Sequence, residues 1–197
     1  MVLGDLLTGV IPARTLPAPF YASDAVFAAD LDIIFCREWL YAGHVSAIPE
    51  PGDYFVFELA NESVIVVRQA DGSVLALANV CRHRGSRVCL NDAGSARTFV
   101  CKYHGWTYGL DGSLRSRRHM PSDFEPSEYG LKNVHLHNVD GLLFVNLGAA
   151  PPEFLGTELA TSLAPLDVSN TKVASRREYP IAGNWKLAIE NYHECYH

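Results

Sequence analysis

The sequence predicts a mostly β, α+β protein built on a small antiparallel β-barrel or sandwich. From Gly52 onward, short runs rich in valine, isoleucine, tyrosine and phenylalanine follow one another with a period of two, which is typical of strands. Asp71-Gly72 and Asp140-Gly141 separate such runs, and Asp-Gly is a strong signal for a tight hairpin turn. Residues 24–40 instead carry apolar side chains at helical spacing, so a helix should precede the strands.

The N-terminal elements are an arm and a helix. Pro12, Pro17 and Pro19 predict an extended arm over the first twenty residues, because proline fixes φ and lacks an N–H. Ser23 is a good N-cap for the helix over Asp24–Leu40, and Gly43 can end it.

The remaining elements are mostly strands. Strands are predicted at residues 54–59, 63–69, 74–80, 99–101, 134–139, 142–147 and 172–180, with a further hairpin at 108–114. A short helix is predicted at 153–163, after Pro151-Pro152, and a last helix from Trp185 onward, with Asn184 as its N-cap.

Composition narrows the classes of function. The chain has 197 residues, 48% of them hydrophobic and 19% charged, enough for one ordinary domain and a piece of another. A net charge of −6 argues against nucleic acid or an anionic membrane as a partner. No apolar stretch is long enough to span a bilayer, and the N-terminus lacks the features of a signal peptide. The cysteines outside the motif below fit a reducing compartment, so we expect a cytoplasmic protein.

Two short motifs carry the chemistry: Cys81-Arg82-His83 and Cys101-Lys102-Tyr103-His104. Two cysteines and two histidines are the ligands of a Rieske [2Fe–2S] cluster, in which one iron keeps two Cys and the other takes two His. The same residue types can form a tetrahedral zinc site. The cluster is favoured because each pair mixes Cys with His and is soon followed by glycine, Gly85 or Gly105, where backbone N–H groups can approach sulfur.

The extended motifs resemble the Rieske domain of non-haem iron ring-hydroxylating and demethylating oxygenase α subunits. The resemblance implies Cys81 and Cys101 on one iron, and His83 and His104 on the other. Respiratory Rieske proteins have a further Cys in each loop and a Ser after the second His-Gly. Here those places hold the residues Ser86, Tyr103 and Trp106. We therefore expect a potential toward the low end of the Rieske range of roughly −150 to +300 mV.

The last residues add a second predicted site. If the helix from Trp185 continues to the end, Glu190, Glu194 and His197 share one face. A carboxylate and an imidazole on one face can belong to a non-haem iron site or to a solvated polar surface. Residues 184–197 resemble the opening of the oxygenases' catalytic domain. The resemblance implies His197 as the first iron-ligating histidine, and Glu194 as the acid between a neighbouring subunit's Rieske histidine and the iron.

The resemblance extends to one branch of the family. Most members have Asp where Glu194 stands, and Glu is more typical of the branch that acts on quaternary ammonium compounds. Residues 15–21, 37–40, 51–55 and 129–132 are also similar to the glycine-betaine-demethylase-like branch. The implied domains are an arm and helix (1–43), a Rieske domain (44–160) and the start of an α+β catalytic domain (161–197).

The implied activity is oxygenation driven by electron transfer. A flavin or iron–sulfur NAD(P)H-dependent reductase would reduce the cluster, which passes electrons to a mononuclear Fe(II) in a homotrimer. With O2, the iron would hydroxylate or N-demethylate a small molecule, for which a quaternary ammonium compound is expected. The family's remaining iron ligands are absent from these 197 residues, so this chain alone should lack a complete catalytic iron site. The alternatives are an aromatic-ring-hydroxylating dioxygenase α subunit, a stand-alone Rieske electron carrier, or a zinc module.

Overall fold

The computed structural model describes residues 14–117, 120–121 and 123–194. The chain divides into two compact units. The central unit comprises residues 37–174, and the terminal unit comprises the described parts of residues 1–36 and 175–197. Within the described residues, the helices are all too short or too polar to cross a bilayer.

The central unit is mostly strands, as the sequence predicts. Its strands within the described residues are β1 (Leu40–His44), β2 (Asp53–Leu59), β3 (Glu62–Arg68), β4 (Val74–Ala78), β5 (Ala93–Ser95), β6 (Phe99–Val100), β7 (Thr107–Tyr108), β8 (Leu114–Ser116), β9 (Asn133–Val139) and β10 (Leu142–Asn146). Seven of them pair in the order β1-β10-β9-β4-β3-β2-β5, and the other three pair in the order β6-β7-β8. Each of these pairings is antiparallel.

Strand β3 separates two apolar cores. Successive side chains of a strand point to opposite faces, and both faces of β3 are buried. Ile65 and Val67 pack into one core together with Cys81, Cys101 and other residues. Val64 and Val66 pack into a second core together with Ile48, Leu143 and Val145. The predicted ligand cysteines are therefore anchored in the first core.

Short helical segments complete the central unit. Val45–Ala47 and Pro126–Tyr129 are 3-10 turns, and the connector after β10 holds an α-helix, Gly156–Leu163, followed by 3-10 turns at Ala164–Leu166 and Val168–Asn170. The predicted helix at 153–163 is thus present but begins three residues later.

The terminal unit contains the helices α1 (Pro19–Ala22), α2 (Asp24–Asp30) and α4 (Trp185–His193). The label α3 is given to the connector helix Gly156–Leu163, which belongs to the central unit. Ser23 caps α2 by accepting a bond from the Val26 N–H, and Asn184 caps α4. The Asp30 carboxylate, which is buried, accepts from the Trp185 indole N–H at 3.1 Å and pairs with Lys186. Long-range polar contacts therefore fix α4 to the N-terminal helices.

Several predicted boundaries are wrong. The helix after Ser23 passes into a π-helical turn, Leu31–Phe35, and ends there, so Gly43 lies in a strand, opposite Leu143. Residues 172–180 form no strand. The predicted arm is interrupted, because Pro19 begins α1; Pro12 lies outside the described residues.

Candidate metal centre

The two sequence motifs form loops with the same backbone pattern. In the first loop, Cys81 N–H donates to the Ser86 carbonyl at 2.8 Å, and Gly85 N–H donates to the Cys81 carbonyl at 3.0 Å. In the second loop, the equivalent bonds join Cys101 to Trp106 at 2.8 Å and Gly105 to Cys101 at 2.9 Å. Each loop thus presents one Cys and one His from an equivalent tight turn.

Glycine is required in both turns by conformation. Gly85 and Gly105 both have a φ of 71°, a left-handed backbone that side chains with a Cβ disfavour. A Cβ at either position would meet nothing within 4 Å, so space is not the constraint. The N–H groups of Gly85 and Gly105 donate to the carbonyl oxygens of Cys81 and Cys101.

Both thiols of the motif are buried. Cys81 is 3% exposed and Cys101 is 1% exposed, and neither forms a disulfide. The Tyr108 hydroxyl lies 3.2 Å from the Cys81 Sγ and accepts a bond from the Arg82 N–H at 3.0 Å. A metal-bound Cys81 is a thiolate and has no proton to donate, so in a loaded site the hydroxyl would be the donor of this contact.

Tyr108 is a functional candidate that the sequence analysis did not single out. Burial, followed by its bond to Cys81, raises the pKa of Tyr108 above its ordinary value, so the hydroxyl stays protonated and remains a donor. Its sequence position indicates only a strand residue. The contact to Cys81 spans 27 residues and depends on how β7 packs under the first loop.

The two histidines approach each other from the two loops. The ring centroids of His83 and His104 are 4.7 Å apart. His83 stacks on Trp106 at 4.9 Å with an interplanar angle of 9°, and His104 stacks on Tyr103 at 3.8 Å. Trp106 is buried at 2% exposure, so it shields one face of His83 from water.

The donors fit a two-iron cluster. The His83 Nδ1 is buried and has no hydrogen-bond partner, which leaves its lone pair available to a metal. Burial, then the nearby His104 and Arg84, lowers the pKa of His83, which favours the neutral imidazole that binds metals. Two buried thiols and a pair of neighbouring imidazoles are the set that a Rieske cluster needs. Within the described residues, no three His, Cys, Asp or Glu side chains are grouped to hold one metal ion.

The helix on which the second site was predicted ends before Glu194. Helix α4 ends at His193, and Glu194 has an extended backbone with φ −74° and ψ 122°. The prediction that Glu190 and Glu194 share one helical face is therefore wrong. Glu190 instead accepts a 2.6 Å hydrogen bond from the Tyr21 hydroxyl. His197 lies outside the described residues, so its role as an iron ligand stays a prediction.

Comparisons with known proteins agree with the two motifs. Residues 38–135 match the family of Rieske [2Fe-2S] domains, and residues 168–197 match the catalytic domain of ring hydroxylating alpha subunits. The glycine betaine monooxygenase oxygenase subunit of Pseudomonas aeruginosa is 42% identical over 98% of this chain. The chain therefore consists of a Rieske [2Fe-2S] domain followed by part of the catalytic domain of a ring hydroxylating alpha subunit.

Other Rieske oxygenases are similar in sequence or structure. The biphenyl dioxygenase α subunit of Metapseudomonas furukawaii is 32% identical over 90% of the chain. A quaternary ammonium Rieske monooxygenase, solved with its substrate L-carnitine, superimposes with a TM-score of 0.82 at 30% identity, covering 92% of this chain and 53% of that one. The chain spans 46% of the Pseudomonas aeruginosa relative and 42% of the biphenyl enzyme.

Proposed function

We propose that the central unit binds a Rieske [2Fe–2S] cluster, with Cys81 and Cys101 on one iron and His83 and His104 on the other. The observation that carries the proposal is the pairing of two equivalent loops, each presenting a buried thiol and an imidazole. The unpartnered Nδ1 of His83 supports it, because a buried ring nitrogen without a partner is costly unless a ligand satisfies it.

When bound, such a cluster accepts and donates single electrons at a potential set by its ligands and by hydrogen bonds to its sulfurs. Several residues of this chain would surround the bound cluster and contact its ligands. Trp106 covers His83, the apolar core surrounds both thiols, and Tyr108 directs its hydroxyl at Cys81. His104 is exposed and is the ligand through which we expect the centre to meet its redox partners.

The complete subunit is proposed to be an oxygenase. A flavin or iron–sulfur reductase supplies electrons from NAD(P)H, and in a homotrimer Glu194 joins the His104 of a neighbouring subunit to the centre that includes His197. A mononuclear non-haem Fe(II) has coordination positions open for O2 and supplies the oxidising chemistry for hydroxylation or N-demethylation. The exposed His104 and the position of Glu194 just beyond α4 support this route. We propose a cytoplasmic location.

The proposed substrate is a quaternary ammonium compound. Oxygenase subunits of glycine betaine monooxygenases from Pseudomonas aeruginosa and Chromohalobacter salexigens are 42% and 44% identical to this chain, whereas the biphenyl dioxygenase α subunit of Metapseudomonas furukawaii is 32% identical. The test is formaldehyde release from glycine betaine and from L-carnitine by a complete subunit that carries this chain, supplied with reductase and NADH. Turnover of biphenyl without demethylation of either compound would favour the aromatic-ring alternative.

The cluster itself is tested by electron paramagnetic resonance of the anaerobically purified, dithionite-reduced chain, together with iron and zinc analysis. The expected result is a Rieske-type signal with about two irons per chain and little zinc. Stoichiometric zinc and no signal would reject the cluster. Replacing His83 by Cys should change the signal toward that of an all-Cys cluster, because it replaces one nitrogen ligand by sulfur.

A further inference from the structure

One fully buried asparagine links the two ends of the first ligand loop by hydrogen bonds. Asn79 follows β4 directly and is 0% exposed. Its Oδ1 accepts hydrogen bonds from the N–H groups of Val88 at 3.1 Å and Cys89 at 2.8 Å, and its Nδ2 donates to the Cys89 carbonyl at 2.8 Å. A single side chain therefore holds together the two ends of the loop that carries Cys81 and His83.

The amide of Asn79 has no hydrogen-bonding capacity left over. Its Nδ2 also donates to the Ser63 Oγ at 3.0 Å, so both oxygen lone pairs and both N–H groups are used. The partners fix which end of the amide is oxygen, because backbone N–H groups need an acceptor and the Cys89 carbonyl needs a donor. The Asn79 N–H also donates to the Ser63 carbonyl at 2.9 Å, which fixes the loop to β3.

A second, outer contact holds the loop more weakly. The Ser63 Oγ donates to Glu58 on β2 at 2.8 Å, and Arg87 of the loop binds both Glu58 oxygens, each at 2.8 Å. The side chains of Arg87 and Glu58 are 47% and 42% exposed, so solvent and salt screen this pair. The buried amide is therefore the stronger of these two side-chain restraints, and it acts beside the backbone bridge between Val80 and Arg87.

We propose that Asn79 is a positioning residue of the Rieske centre. It holds Cys81 and His83 in place before the cluster is bound, so the loop does not have to be ordered during binding. This inference rests on the proposed function, in which the loop supplies two of the four ligands. A preorganised site retains its ligand better, so loss of the amide should speed loss of the cluster and alter its surroundings.

The test compares Asn79→Ala with Asn146→Ala in the cluster-loaded chain. Asn146 is a matched control because it is 1% exposed, accepts from the Gly148 N–H at 2.7 Å and donates to the Arg37 carbonyl at 2.6 Å. We expect Asn79→Ala to lose visible cluster absorbance to a chelator about tenfold faster than wild type or more, since it leaves three buried backbone groups unpaired. Its reduced paramagnetic resonance spectrum should broaden or shift, whereas Asn146→Ala should keep the wild-type spectrum.

Equal rates of cluster loss and equal spectra in the two variants would overturn the proposal. If Asn79→Ala does not fold, Ser63→Ala removes one of the four hydrogen bonds of the Asn79 amide and should still cause a smaller increase in the rate of cluster loss.

Amide hydrogen exchange of the metal-free wild type is the second measurement. Val88 and Cys89 should be protected there, and rapid exchange of both would show that the loop is not held in advance. A wild-type chain that takes up no iron would instead reject the proposed function and leave this exchange result valid.

Discussion

At the level of single residues, the hydroxyl of Tyr108 connects the two ligand loops. Tyr108 follows the second loop, yet it contacts the sulfur and the backbone of the first loop, at Cys81 and Arg82. Hydrogen bonds to a ligating sulfur stabilise its electron-rich, reduced state and so raise the cluster potential. One hydroxyl therefore acts on both the geometry and the electronics of the proposed centre.

Tyr108→Phe is expected to lower the cluster potential. If the hydrogen bond is about 1 kcal/mol stronger in the reduced state, its loss lowers the potential by roughly 40 mV for a one-electron couple. The measurement is a redox titration followed by paramagnetic resonance. Tyr54→Phe is the control, because Tyr54 is buried in the same core and none of its described hydrogen bonds goes to a motif cysteine. A potential that does not differ between Tyr108→Phe and the control would remove the hydroxyl from the electronics of the centre.

Cys89 is expected to resist alkylation in the folded chain. Burial raises the pKa of its thiol to about 12, and the thiolate is the reactive form. Because the folded pKa is raised, the native thiol stays protonated at pH 8 and becomes reactive only as the pH approaches that value. Iodoacetamide at pH 8, followed by mass spectrometry, should label Cys89 only after unfolding in guanidinium. Labelling of the folded chain at the unfolded rate would contradict the burial.

At the level of elements, helix α4 depends on a buried ion pair. Asp30 and Lys186 have side chains 9% and 10% exposed, and the same carboxylate accepts from the Trp185 indole. Removing one partner of a buried pair leaves an uncompensated charge, which costs about 3–5 kcal/mol. The residues just after α4, including Glu194, therefore depend on an acid in the N-terminal segment.

Lys186→Met is expected to lower the free energy of unfolding of the terminal unit by about 3–5 kcal/mol. The double variant Asp30→Leu, Lys186→Met should recover most of that loss, because no buried charge remains. Arg176→Ala is the control, since its pair with Glu178 is 84% and 76% exposed and is worth about 0–1 kcal/mol. Urea unfolding followed by Trp185 fluorescence measures all three. A loss in Lys186→Met no larger than in the control would mean that the pair does not stabilise the unit.

The elements that the sequence predicts well are those with local signals. The hairpin of β9 and β10 is predicted by alternation and by Asp140-Gly141, both of which have positive φ. The sequence does not predict where the first helix ends, because the backbone after it is held by contacts with distant residues. Asn146 donates to the Arg37 carbonyl, and Trp39 donates to the Pro152 carbonyl. The Cys-x-His and Cys-x-x-His spacings indicate the candidate cluster loops, but the contacts of Asn79 and Tyr108 depend on packing.

At the level of the whole molecule, the proposed cluster ligands belong to the central unit alone. Cys81, His83, Cys101 and His104 all lie within residues 37–174. A ligand that binds only the folded state stabilises the part of the protein that it binds.

Removal of the cluster is therefore expected to lower the melting temperature of the central unit more than that of the terminal unit. A stabilisation of about 3 kcal/mol corresponds to a shift of roughly 6–12 °C for a chain of this size. The measurement is hydrogen exchange at rising temperature in loaded and metal-free wild-type chains, with peptides from each unit as separate probes. The larger shift should be reported by peptides of the central unit, because that unit holds the four ligands. Equal shifts at both probes would mean that the two units unfold together, and no shift at either would mean that the cluster contributes nothing to the folded state.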